Sequence, residues 1–402
     1  MANEDSKAFG RRVAFYRKKL GYSQRQLAAV INRSETWVSQ VERGVRKIDR
    51  MSVLQRLAGA LAVPVAELAP EQSVVATTSE TPPAVTTLSR TLAASDALRA
   101  VLSEAGPVDL AGLAAQSARA WDYAHGSRDD ELADLLATLL PELEQAEQHS
   151  GADQRRQASV AKAQAYHAAA AVLAKLGETA AAWVAVDRAI HAAQQAGDPL
   201  LMAEGAFRLA SVFQAARRFD LAMRAASSAA EAIAGLVEQG DQAAVAMHGA
   251  LHLQLALAAA QSTDADGAYG HLETARRAAA QLGADRNDYH TEFGPTNVLL
   301  HEVAVAVELG DAGRAVRVAA GVDAVWLSPE RQARLLIDVA SAHAQLRHPE
   351  AVVSSLREAL RIAPEQIETH DRVRTLVADL LRGDRRTSSE VQELAARLKV
   401  EP

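Results

Sequence analysis

No cysteine occurs among the 402 residues, which excludes disulfide staples, thiolate metal sites and cysteine nucleophiles. Aromatic residues supply only 4% of the chain, so a core must be packed mainly with Ala, Leu and Val. Runs of alternating β-branched residues are missing, and Gly and Pro fall largely in short punctuations between stretches of strong helix formers. The fold class expected is therefore all-α. No uninterrupted apolar stretch reaches the ~20 residues that a membrane crossing needs. The opening residues, MANEDSKAFGRR, lack the basic-then-apolar order of a secretory leader. A soluble, cytoplasmic protein without a membrane partner is expected.

Catalytic patterns are missing as well. There is no phosphate-binding loop, no G-x-S-x-G elbow and no pair of carboxylates in an otherwise apolar setting, so neither an enzyme nor a cofactor is expected. His248 and His252 are four apart, but the glutamate of the zinc-protease pattern and a third ligand are lacking. Asp264 and Asp266 lack the other ligands of a calcium loop, and turn formation or helix capping accounts for them. No metal site is expected.

What is present is unevenly distributed. A chain of this length is too long for one compact core. The net charge of −7 averages two unlike parts: residues 1–70 hold 13 Lys+Arg against 6 Asp+Glu, whereas 71–402 hold 30 against 44. A basic head on an acidic body suits a partner that offers phosphates at one end only.

In the head, Phe9, Val13, Tyr16 and Leu20 share one face of a helix predicted from about Ser6 to Leu20, closed by Gly21. Ser23 and Gln26 form a capping box for a second helix that carries Leu27, Ala28 and Ile31 inward and stops at Asn32. Ser34 caps a third helix, Glu35 to about Arg43, closed by Gly44. Two helices joined by so tight a turn make a helix-turn-helix. The stretch SQRQLAAVINRSETWVSQVERG resembles the signature of the lambda-repressor-like, or XRE, helix-turn-helix family. Asn32 stands where glycine is commoner. A fourth helix with Leu54, Leu57, Ala58 and Leu61, followed by Val63 and Leu68, fits the family's five-helix domain.

That resemblance implies that the third helix enters the major groove of double-stranded DNA. Bases would then be read by Glu35, Thr36, Ser39 and Gln40, with Arg33 and Trp37 beside them, and phosphates contacted by Gln24, Arg43, Arg46 and Lys47. Val38 and Val41 belong to the core. Trp37 could equally pack on the head's own surface, Glu42 suits an ion pair within the head, and Arg11, Arg12, Arg17, Lys18 and Lys19 could simply solvate the first helix.

Residues 71–87, rich in Thr, Pro and Ser, read as a linker between the head (1–70) and the body (88–402). In the body, similar breaks recur at 175–182, 216–223, 262–269, 308–315 and 346–353, about 41, 46, 46 and 38 residues apart. Ala180, Ala222, Ala268, Ala315 and Ala351 follow them, where close helix contact needs small residues. The pattern resembles a tetratricopeptide-like right-handed α-solenoid of five or six helix pairs with a concave groove, preceded by a less regular segment at about 88–150. One segment, 287–302, departs from the alanine-rich background and holds two of the four asparagines. Tyr289, His290, Phe293, Asn297 and His301 could line an effector site there, or the segment could be a long loop tied down by its own polar groups.

The combination resembles actinobacterial XRE regulators with tetratricopeptide bodies, and in architecture alone the peptide-responsive regulators of Gram-positive quorum sensing. It implies a sequence-specific transcriptional regulator, nucleoid-associated when bound, that reads a two-fold-related operator as a homodimer and senses a peptide or small-molecule effector. The other reading open is a DNA-tethered adaptor whose repeat body recruits another protein.

Overall fold

The computed structural model describes residues 2–31, 33–45, 51–61, 63, 68, 81–94, 96–104, 108–325, 327–383 and 389–400. All regular structure among them is helical, and the chain divides into two compact units, Met1–Glu80 and Thr81–Pro402.

The head begins with α1 (Ala2–Lys19), earlier than the predicted Ser6. It continues with α2 (Gln24–Val30), α3 (Glu35–Glu42) and α4 (Met51–Ala60). The capping box forms as the sequence predicts: Ser23 Oγ accepts from Gln26 N at 3.1 Å, and Ser23 N donates to Gln26 Oε1 at 2.8 Å. Gly21 and Gly44 close their helices at φ +72° and +69°. Val13, Leu27, Ile31, Val38, Val41, Leu54, Leu57 and Leu61 are buried together. Leu20, expected inside, is exposed at the frayed end of α1. Gly10 lets α1 cross the end of α3 closely, since a Cβ there would lie 2.5 Å from the carbonyl oxygens of Val41 and Glu42. The fifth helix expected for the head lies outside the described residues except at Val63 and Leu68. Leu68 is buried, and its carbonyl accepts from Arg12 Nε at 2.8 Å.

The body starts sooner than expected. Pro83–Thr87, read as linker, form the first turns of α5 (Pro83–Ala93), because Ala84, Val85, Leu88 and Leu92 make a buried stripe at helical spacing. α6 (Asp96–Leu102) follows. Six helical hairpins come next: α7 (Leu110–His125) with α8 (Asp129–His149), α9 (Ala152–Lys175) with α10 (Thr179–Ala196), and α11 (Pro199–Ala215) with α12 (Phe219–Ala232). After the short α13 (Ala234–Glu238) come α14 (Gln242–Gln261) with α15 (Ala265–Leu282), α16 (Pro295–Leu309) with α17 (Ala312–Ala319), and α18 (Pro329–Gln345) with α19 (Pro349–Ile362). α20 (Pro364–Thr369), α21 (Asp371–Gly383) and α22 (Ser389–Arg397) end the unit. All five predicted breaks are the turns inside hairpins. The segment expected to be irregular holds a sixth, α7–α8.

Every hairpin turns in the same way. A left-handed residue stands at Ser127, Gly177, Arg217, Thr263, Gly310 and Arg347. The next residue's N–H then reaches back five positions to a helix carbonyl, as in Arg218 N to Phe213 O and Asp264 N to Ala259 O. Five residues beyond each left-handed position stands a buried side chain: Leu132, Ala182, Ala222, Ala268, Ala315 and Val352. Two of the expected small residues are therefore out of register: Ala180 is exposed and Ala351 half-buried, and their places are taken by Ala182 and Val352. Aspartates cap several helices, Asp264 among them, with Oδ1 accepting from Gly267 N at 2.9 Å.

The first helices of successive hairpins pack on one another in order, from α7 through α9, α11, α14 and α16 to α18. α18 then touches α7 again, so the inner layer of the body comes round on itself as a ring. Two hydrogen bonds span the closure: Ser127 Oγ donates to Gln366 Oε1 at 2.8 Å, and the backbone N–H of Asp129 donates to Glu365 Oε2 at 2.8 Å. Among the described residues one helix, α14, is long and apolar enough by length and composition to span a membrane, although His248, His252 and Gln254 interrupt it. It is mostly buried as one of the ring's inner helices, against α12, α15 and α16.

Candidate nucleic-acid interface and body cavity

α3 of the head has two distinct sides. Val38 and Val41 are buried, whereas Arg33, Glu35 and Thr36 are exposed and Ser39 and Gln40 half-exposed. Ser34 Oγ accepts from Trp37 N at 3.1 Å, so the helix begins with its first-turn N–H groups oriented by a cap. Trp37, expected beside the base-reading residues, has its ring buried in the head's core, where so large an apolar surface is most stable. Arg33 lies over that ring, 5.8 Å from its centroid.

Gln24, expected to contact a phosphate, is half-exposed. Its Nε2 donates to Glu42 Oε2 at 2.7 Å, because the Glu42 carboxylate is the nearest strong acceptor. Arg17 completes this cluster, with Nε 2.5 Å from Glu42 Oε1 and Nη2 3.0 Å from Oε2. Arg17 is thus a buried structural cation rather than a solvated or DNA-facing one, and Glu42 makes the ion pair within the head that the sequence suggests. Hydrogen bonding to Glu42 raises the Arg17 pKa further and outweighs burial. Arg43 is exposed, with Nε 3.4 Å from Ser39 O. Arg46 and Lys47, like Asn32, lie outside the described residues.

In the body, the inner helices surround a partly open cavity of about 400 Å³. Trp121 and His125 from α7, Phe207 and Arg208 from α11, His290 and Glu292 from the 287–294 loop, and Arg331 from α18 line one part of it. Glu330, Arg334, Asp338, His370 and Arg372 line another. Arg208 lies between two rings, 4.6 Å from the centroid of Trp121 and 4.9 Å from that of Phe207. It donates to Glu204 Oε1 at 3.2 Å and to the carbonyl of His290 at 2.9 Å. Burial pushes the Glu204 carboxyl up to about 7 in spite of that arginine. Burial also works against the Glu330 carboxylate, but Arg334, Arg331 and Lys175 outweigh it and hold it down to about 2. His290 and His301 are lowered to about 3, chiefly by burial and then by Arg208 and Arg331 respectively, and both imidazoles are neutral at pH 7.

The five residues expected to line an effector site part company here. His290 and His301 line the cavity. Phe293 is fully buried against Gly249, and only the missing Cβ of that glycine makes room for its ring. Asn297 ties the loop down by donating Nδ2 to the carbonyls of Glu292 at 2.8 Å and Thr291 at 3.3 Å. The Tyr289 hydroxyl is 3.4 Å from both carboxylate oxygens of Asp198, and burial followed by that carboxylate raises its pKa. Phe293, Asn297 and Tyr289 thus make the segment a loop held by its own groups, the second of the two sequence readings. The arginines and Trp121 were missed by sequence reasoning. The available signal was an arginine or tryptophan set among alanines on the first helix of a hairpin.

His248 and His252, four apart in α14, approach α15: His252 Nδ1 lies 3.1 Å from His271 Nδ1. Among the described residues no group of three or more side chains could hold a metal ion.

The geometry defines a helix-turn-helix head followed by a body of helical hairpins. Residues 8–70 match the helix-turn-helix domain family. No curated protein matches the sequence. Among solved structures, Bacillus thuringiensis PlcR, crystallised in complex with the peptide PapR7 and DNA, aligns over 92% of this chain and 99% of its own, at 13% identity and a TM-score of 0.29.

Proposed function

We propose that the chain is a DNA-binding transcriptional regulator. Its head, residues 1–70, reads an operator through α3. Its body, from Pro83 onward, dimerises and takes an effector, a peptide or small molecule, into the ring. The two-sided α3 carries this reading: a capped helix buries Val38 and Val41 and turns Glu35, Thr36, Ser39 and Gln40 outward, within a domain of the helix-turn-helix family. In the groove, the Gln40 amide suits adenine and the Thr36 methyl suits thymine, while Arg43 is placed for a phosphate. A lone head makes few such contacts. Two heads held by their bodies raise the effective concentration of the second and read a two-fold-related site. An effector that binds one arrangement of the body better than another would shift the population able to bind DNA. No step of the proposal requires catalysis, and its setting is the cytoplasm.

Genome-wide immunoprecipitation of the tagged protein tests the reading, with a Gln40→Ala, Arg43→Ala variant beside it. Sharp peaks that share a two-fold-related motif and vanish in the variant are expected. Enrichment equal in parent and variant would overturn base reading by α3.

A further inference from the structure

The loop at 287–294 adopts a conformation that side-chain-bearing residues seldom take. Tyr289, His290 and Glu292 have φ of +50°, +55° and +49°. Left-handed backbone at three residues so close together is unfavourable, and it persists only where surrounding contacts enforce it. Those contacts come from three separated hairpins. Trp121 of α7 stacks on His290, Arg208 of α11 donates to the His290 carbonyl at 2.9 Å, and Arg331 of α18 donates through Nη2 to the Thr291 carbonyl at 3.2 Å.

What the strained loop delivers is a carboxylate. Glu292 Oε2 accepts from Arg331 Nε at 3.2 Å and from Ser328 Oγ at 3.1 Å, and lies 3.8 Å from His125 Nε2. Arg331 is only 6% exposed, and Arg331, His125 and Glu292 all line the cavity. We propose that Arg331, Ser328 and His125 form a carboxylate-binding site whose resting occupant is the chain's own Glu292, and that the effector is a carboxylate-bearing molecule that displaces it. This rests on reading the body as the effector domain.

The chemistry limits the ligand. A guanidinium beside a hydroxyl donor fits a planar carboxylate. Glu330 Oε2, 3.6 Å from Arg331 Nε, already supplies one negative charge there and disfavours a dianion such as a phosphate monoester. Apolar side chains that also line the cavity, Ala170, Ala174, Leu300 and Leu335 among them, suit an apolar remainder. Displacing Glu292 would free the loop to leave its left-handed conformation. α16 begins at Pro295, directly after the loop, so the release is felt at the start of a hairpin. The carboxylate could belong to a small organic acid or to the C-terminus of a peptide, and the two sources share this chemistry.

Calorimetric titration of the full chain without DNA tests the proposal with two matched pairs: phenylacetate against phenylacetamide, and the tripeptide Ala-Ala-Leu against its C-terminal amide. A Glu292→Gln variant, its fold checked by circular dichroism, is expected to bind the free acid of at least one pair about tenfold tighter than the parent does. The amides should gain nothing, and adding Arg331→Gln should abolish the gain. Which pair responds identifies the source. Equal gains for acids and amides, or no gain for either acid, would overturn the proposal. If Glu292→Gln does not fold, hydrogen exchange of the parent's 286–294 amides in millimolar probe decides instead. Exchange is expected to quicken with an acid alone, and unchanged exchange would overturn the displacement. These readouts do not involve the head, so failure here leaves operator reading intact, and a head that reads no operator leaves this result intact.

Discussion

The imidazole of His290 lies flat on the indole of Trp121, with ring centroids 4.3 Å apart and planes within 8°. The pair joins the first hairpin of the body to the loop that precedes the fifth, across the inside of the ring. A stacked pair of this kind contributes about 1 kcal/mol beyond its burial. A double-mutant cycle of Trp121→Ala and His290→Ala, read by chemical denaturation, should return a coupling of about that size. Either single variant should speed hydrogen exchange at 287–294. A coupling near zero would mean that the stack is a consequence of the loop's position and does not help to hold it.

Gly249 and Phe293 make a second such dependence. A Cβ on Gly249 would collide with the Phe293 ring. Gly249→Ala should destabilise the body by about 1–3 kcal/mol. Adding Phe293→Leu should restore part of that loss, since the smaller side chain makes room. Additive losses in the denaturation midpoints would show that the ring is not the obstacle.

In the head, stability and recognition should separate. Glu42→Ala strips the buried Arg17 of its carboxylate and should cost about 3–5 kcal/mol, so that the full chain loses operator binding through unfolding of its head. Gln40→Ala should lower melting far less than Glu42→Ala does, yet weaken operator binding by about 1–3 kcal/mol, mostly at one base pair. Mobility-shift titrations beside thermal melts distinguish the two behaviours.

The body should weaken in acid. Burial depresses His167, His290 and His301 to about 3, and His252 and His370 to about 4, from an ordinary 6.5. Depressed bases contribute stability that is full above pH 6.5 and is lost as pH falls towards their folded values. Glu204, raised to about 7, and Asp338, raised to about 6, act in the opposite sense but are fewer. The melting temperature should therefore fall between pH 7 and pH 5, and His290→Asn should flatten the slope.

The hairpin turns offer a gain. Arg217, Thr263 and Arg347 stand at φ of +59°, +68° and +61°, where a side chain is strained. Glycine at any of them should stabilise the body by about 0.5–1 kcal/mol, less what its extra freedom in the unfolded chain removes. Gly177→Ala, at φ +82°, should do the reverse. Thermal melts of the four single variants check both signs.

These turns also show what was legible in advance. The spacing of breaks located five hairpins because each turn interrupts helical periodicity and is followed by a residue small enough for close contact. The sixth, α7–α8, lay in the segment read as less regular, although its turn is built like the others, with Ser127 left-handed and Leu132 buried five residues on. The head contacts of Trp37 and Gln24 were not legible, because helical spacing places a residue on a face but does not say which neighbour its side chain meets. Glu42 claims Gln24, and the head's core claims Trp37.

Sequence alone determined the helical class, the head with its caps and turns, and the hairpin rhythm of the body. Those features follow from local rules: propensity, periodicity, and the few residues that start or stop a helix. Only the tertiary structure decided that the array closes on itself, that Arg208 and Arg331 face its interior, and that Glu292 occupies the place between Arg331, Ser328 and His125. These depend on contacts between hairpins far apart in the chain, whose relative angle accumulates from small rotations at every interface and leaves no mark in any one segment.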